Sequence, residues 1–253
     1  MPSMRDETGI GGSRGRFPTT SLSAIGAVGS RDPGERDRGF AAVVQAYWKP
    51  VYKYVRLKWG LDNEGAKDAT QGFFARAFEK GWLASYEPAK GSFRTFLRVC
   101  LEGFLANERK AAARLKRTPG EPLVSLNFES AEAELVGRCS LEGRSPDDFF
   151  REEFARALFS SAVEELHREL SARGSELAYQ AFERYDLDPD PENPPSYASL
   201  ARALGSTESR VTNALQTARR EFRRIVLENL RALTRDDSEF REEARRLFGK
   251  PSP

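Results

Sequence analysis

Apolar residues along the chain recur at helical spacing in two blocks, with a polar interval between them. From about residue 37 to 118, "GFAAVVQAYWKPVYKYVRLKWG" carries one apolar stripe. Pro50 within it is expected to kink or break the helix, because proline removes an N–H and crowds the preceding turn. "NEGAKDATQGFFARAFEKGWL" puts Phe73, Phe74, Ala77 and Phe78 at core spacing. "YEPAKG" reads as a turn. "SFRTFLRVCLEGFLANERKAAARLKR" opens on Ser92 as a plausible N-cap and ends in a basic run. The helical pattern resumes near Asp147 and lasts to about 186, pauses at the proline-rich "DLDPDPENPP", and returns. Strand-type alternation is nearly absent, so the expected class is all-α: two small helical domains joined by a linker.

The blocks set the expected domain boundaries. Residues 1–36 are rich in Gly, Ser, Pro and Arg without periodicity and are expected to be disordered. Residues 37–118 form the first helical domain, 119–146 an acidic linker, 147–231 the second helical domain, and 232–253 a charged amphipathic tail. Over 121–153, nine Asp and Glu stand against three Arg, a balance of −6. Over 105–118, five Lys and Arg stand against one Glu, a balance of +4. The net charge of +2 therefore hides segregated charge.

Within the second block, "SYASLARALGSTESRVTNALQTARREFRRIV" places two helices about a tight corner. Gly205 suits the left-handed position that ends the first helix, and Ser206 or Thr207 can cap the second. This is the helix-turn-helix arrangement. At about 100° per residue, Leu215, Ala218 and Phe222 fall near Val211 on an inward stripe. Ser209, Asn213, Gln216 and Arg220 fall on the opposite face. Amides can bind adenine edges bidentately and arginines guanine or phosphate. Over 206–231, six Arg against three Glu give +3, which favours a polyanion. The bland alternative is a plain helix pair with a solvated arginine face.

In the first block, Tyr86, Phe93, Phe96 and Phe104 are interleaved with Lys90, Arg94, Arg98, Arg109, Lys110, Arg114, Lys116 and Arg117. Such interleaving can stack unpaired bases and track their phosphates. A phenylalanine stripe at this spacing is more often core, and Phe96 and Phe104 are expected to be so.

Other chemistry is poorly supplied. The 253 residues contain one histidine, His167, inside an amphipathic stretch where a surface or half-buried helix position is the simplest reading. Cys100 and Cys139 suit a reducing cytosol and lie in no metal-binding spacing. No phosphate-loop or zinc-protease motif occurs, and "GIGG" at 9–12 reads as linker. No apolar run approaches a membrane span. The expectation is a cytoplasmic protein with no catalytic residues, no metal and no cofactor.

The segments "DATQGFFARAF", "GSFRTFLRVCLEGFLANERK" and "YASLARALGSTESRVTNALQTARREFRR" resemble regions 2 and 4 of sigma-70-type RNA polymerase sigma factors. The order and spacing resemble the extracytoplasmic-function (group 4) class over about 38–118 and 147–231. The resemblance implies a transcription initiation factor that binds core RNA polymerase and directs it to promoter DNA. Asp68, Gln71 and Phe74 match the polymerase-docking surface. Gly91, Ser92, Phe93, Arg94 and Phe96 match the promoter-melting segment. Asn107, Arg109 and Lys110, followed by Arg114, Lys116 and Arg117, match the start of the −10 contact. Ser209, Arg210, Thr212, Asn213, Gln216, Arg219 and Arg220 belong to the −35 recognition helix. Where the family often has Asn, Asp and a basic residue, this chain has Gly103, Asn107 and Ala214. An anti-sigma factor is a further partner the resemblance admits. The acidic linker is expected either to enter the polymerase's basic channel or to act as a solvated tether. The rival reading is a helix-turn-helix regulator that acts without core polymerase.

Overall fold

A computed structural model describes residues 24–112, 126–135, 145–189 and 194–248. Every regular element among them is helical. The first differences from expectation come at the N-terminus. Residues 24–36 are ordered: α1 (Ala24–Ala27) buries Ala24, Ile25 and Ala27, and α2 (Pro33–Trp59) begins inside the stretch read as disordered. Asp32 caps α2, its carboxylate accepting from the Glu35 N–H at 2.7 Å, with Pro33 at the first helical position. The contact between α1 and α2 needs Gly39. A Cβ there would lie 2.7 Å from both the Ala24 carbonyl oxygen and the Ala27 methyl. Residues 1–23 of the expected tail lie outside the described residues.

Pro50 does not end α2, which runs unbroken to Trp59 and stops at Gly60 in the left-handed conformation. Proline in a helix interior costs about 3 kcal/mol. Tyr47, Val51, Tyr52, Tyr54 and Val55, all at most 1% exposed, pack on several sides of the helix around it and outweigh that cost. Next come α3 (Asn63–Lys80), capped by Asp62, and α4 (Phe93–Ala112), where the Ser92 hydroxyl accepts from the Thr95 N–H at 3.3 Å as expected of an N-cap.

The acidic interval departs from expectation over 126–135. There, α5 (Phe128–Ala133) is docked on α2. Phe128 sits against Trp48 and Tyr52, with ring centroids 5.4 and 5.1 Å away. Glu132 pairs with Arg56, and Glu134 with Lys49 at 2.9 Å and with Lys53. Lys49, Lys53 and Arg56 are spaced along one face of α2, and the acidic residues answer them. Over 126–135 the interval therefore joins the fold through Phe128 and Ala131, and Glu132 and Glu134 are neutralised within the chain.

After α5 comes α6 (Pro146–Ala172), followed by α7 (Glu176–Phe182), α8 (Tyr197–Ala203), α9 (Glu208–Ala232) and α10 (Asp237–Phe248). Helix α6 lies along α2: Phe154 stacks on Tyr47 at 5.0 Å, and Phe150 meets Tyr54 edge-on at 5.8 Å. Lys53 and Glu153, each about 4% exposed, pair at 2.7 Å within this contact. The described residues bury a single connected apolar cluster that runs from Ala24 to Leu233 and takes members from both helical blocks.

Candidate nucleic-acid interface

The turn between α8 and α9 is built as its sequence predicts. Gly205 has φ +57°, a conformation that side chains disfavour. The N–H of Ser206 returns to the Ala201 carbonyl at 2.9 Å. Thr207, rather than Ser206, is the cap, accepting from the Arg210 N–H at 3.3 Å. Ser196 and Ser199 form a reciprocal capping box at the start of α8.

Helix α9 has the expected phase. Val211, Leu215 and Ala218 are at most 1% exposed, and Phe222 is half-buried against Phe159 and Phe182. Ser209, Arg210, Asn213, Gln216 and Arg220 are exposed. Thr212 is half-buried and donates its hydroxyl to the Glu208 carbonyl at 2.8 Å. Two amides and two arginines thus project from one side of a helix held behind a rigid corner, a shape that fits a major groove.

Arg219 is held rather than free. Both its Nε and a terminal nitrogen donate to Asp186, at 2.8 and 2.7 Å, and its guanidinium lies 5.3 Å from the Tyr185 ring centroid. The hydrogen bonds to Asp186 raise its already high pKa, so it stays cationic. Tyr185 stacks on Tyr197 at 5.2 Å, in a wider π-helical turn over Glu183–Leu187 that follows α7. Sequence reasoning missed Asp186, because it sits in a proline-rich stretch read only as a connection. The "YDLDP" pattern beside an aromatic was the available signal.

The first block is divided. Asn107, Arg109 and Lys110 are exposed at the end of α4. Arg114, Lys116 and Arg117 lie outside the described residues. Ser92 and Phe96 are half-buried, and Phe96 packs on Tyr86 at 5.5 Å. Two candidates are corrected. Phe93 is 1% exposed, between Tyr47 and Tyr86, and so is a core residue in this arrangement. Arg94 is 7% exposed; both terminal nitrogens bind Glu243 of α10, and its guanidinium lies 5.0 Å from the Phe154 ring centroid. Neither side chain can meet a base while α10 stays in place.

On α3, Asp68 is exposed and Gln71 half-buried, one turn apart. Phe74 does not share their exposed face. It is 3% exposed and edge-on to Phe40 and Phe73, and its role is packing. His167 is exposed on α6, stacked on Tyr179 at 4.1 Å, as its amphipathic setting suggested. Among the described residues, no cluster of His, Cys, Asp and Glu suits a metal ion, and no helix is long and apolar enough to cross a membrane. No protein family, curated protein or solved structure matches the chain.

Proposed function

We propose that the chain is a transcription initiation factor that binds core RNA polymerase and brings it to promoters. In this reading α9 reads duplex DNA at a −35 element through Asn213, Gln216, Arg210 and Arg220. The start and exposed end of α4 capture the unpaired strand of a −10 element. Captured bases offset an unstacking cost of a few kcal/mol each. Asp68 and Gln71 belong to the polymerase-docking face. Catalysis belongs to the polymerase, and the chain contributes recognition only.

The observation that carries this reading is the exposed face of α9. Its amides and arginines point away from the core, behind a turn whose glycine and threonine set the helix angle. Exposed Asn107, Arg109 and Lys110 on α4 support a second DNA contact.

One observation favours the rival reading, a helix-turn-helix regulator independent of polymerase. Helices α2 and α6 share a buried aromatic contact, which joins the two helical blocks into one body. Affinity capture of purified core polymerase, followed by transcription from a genomic library, separates the two. The initiation factor captures core enzyme and Asp68→Arg weakens that capture; a regulator binds DNA and ignores core enzyme. Failure of the parent chain to hold core polymerase would remove the initiation reading.

A further inference from the structure

Helix α10 covers the start of α4. Glu239 accepts from the Tyr86 hydroxyl at 2.7 Å and from the Phe93 N–H at 3.3 Å. Glu243 accepts from both terminal nitrogens of Arg94, one at 3.0 Å, and is itself 4% exposed. Arg246 also reaches Glu243, at 3.1 Å. Arg235, just before α10, donates to the Tyr86 carbonyl at 2.5 Å. The far end of α10 rests on the other block. Phe248 packs on Phe159 at 6.2 Å, and its ring centroid lies 5.1 Å from the Arg223 guanidinium.

The donors gathered here are a guanidinium fork, a phenol hydroxyl and a backbone N–H at the first residue of a helix. All three turn toward carboxylate oxygens. The same set suits a phosphodiester, whose anionic oxygens take the same charge-assisted bonds. Only two acidic residues of the tail, one helical turn apart, make these contacts.

We propose that α10 is a built-in strap, with Glu239 and Glu243 standing where the phosphodiester backbone of an unpaired DNA strand would bind. The proposal rests on the assignment of the start and exposed end of α4 to strand capture. In the closed chain the strap and the strand compete for Arg94, Tyr86 and the Phe93 N–H. Strand binding therefore requires α10 to leave.

The test uses the full chain and its Glu239→Gln/Glu243→Gln variant. Each is titrated by fluorescence anisotropy with a mixed-sequence single-stranded oligonucleotide on the order of ten nucleotides long. The neutralised strap is expected to tighten strand binding by about fivefold or more, the lower edge of ordinary coupling between sites. Affinity for mixed-sequence duplex should be unchanged. Equal strand affinity for parent and variant overturns the strap and leaves strand capture standing. If neither binds the strand at low salt, strand capture itself falls, and the strap with it.

Hydrogen exchange on the parent guards against a variant that does not fold. Adding the oligonucleotide should deprotect residues 237–248 while protecting 92–112. Protection gained at 92–112 with none lost at 237–248 overturns the strap.

Discussion

Lys53 offers a direct test of whether the two helical blocks fold as one body. It is 3% exposed on α2 and pairs with Glu153 of α6 at 2.7 Å and with Glu134 beyond α5. Lys53→Met keeps the apolar stem and removes the charge. Glu134 loses little, because Lys49 still holds it and it is partly solvated. Glu153 is the partner that loses more: it stays buried, and Arg156, from a side chain 38% exposed, still pairs with it. Removing one member of a buried pair costs about 3–5 kcal/mol. Because Arg156 still pairs with Glu153, this case falls at the low end, about 3 kcal/mol. For a chain of this size, that lowers Tm by roughly 6–12 °C.

The double variant Lys53→Met/Glu153→Leu should recover most of the loss, since well-packed apolar replacements of buried pairs are often neutral. The two changes should thus show a coupling of about 2 kcal/mol or more. Urea unfolding followed by far-ultraviolet circular dichroism measures all three variants. A single transition that shifts for Lys53→Met supports one cooperative body. If Lys53→Met cost under about 0.5 kcal/mol, the range of an ordinary surface change, the buried contact between α2 and α6 would be wrong.

Three further outcomes are expected. Gly39→Ala pushes a methyl into the Ala24 carbonyl and Ala27, and should destabilise by about 1–3 kcal/mol in the same assay. Asn213→Ala should weaken binding to the cognate duplex by about 1–3 kcal/mol while leaving random duplex unchanged, as gel-shift titration would read. Hydrogen bonds from Arg56 hold the Glu132 carboxyl below the usual carboxylate range. Its contribution is therefore complete above the unfolded pKa of about 4.3 and fades as pH falls through the lower folded value. The stability gap between the parent and Glu132→Gln, measured by urea at a series of pH values, should narrow below about pH 4.

Elements driven by local periodicity were legible in the sequence. The stripe Val211, Leu215, Ala218 states the phase of α9, and Gly205 with Thr207 states its corner, because both signals lie within a few residues. What escaped depends on partners far along the chain. Nothing local marks Arg94 as buried: its partner, Glu243, is 149 residues away. Periodicity put Phe74 at core spacing and only the resemblance placed it with Asp68 and Gln71 on a docking surface; Phe40 holds it in the core from another helix. Pro50 looked like a breaker because the rule for proline is local, whereas the packing that overrides it is tertiary. The acidic interval was read by its charge total, and that total conceals Phe128 and Ala131, three apart, which are what dock α5.

The contacts holding the parts together differ in kind, and that difference orders their release. Helices α2 and α6 meet through Tyr47, Phe154, Tyr54 and Phe150, an apolar contact, and through the Lys53–Glu153 pair, which is buried and so little screened by salt. The α5 segment is held by Phe128 and Ala131 and by the ion pairs of Glu132 and Glu134, both partly exposed. Partly exposed pairs contribute about 1 kcal/mol or less and weaken with ionic strength. Helix α10 lies between these cases: Arg94 and Glu243 are buried, but Phe240 and Phe248 are only half-covered. Added salt competes for the charged partners of exposed ion pairs and leaves stacked rings untouched. Salt is therefore expected to loosen α5 and α10 while α2 and α6 stay joined. Hydrogen exchange across a salt series would read this order: residues 128–133 should lose protection first, 237–248 next, and the α2–α6 contact only with global unfolding. Simultaneous loss of protection at all three would show that charge does not set the hierarchy.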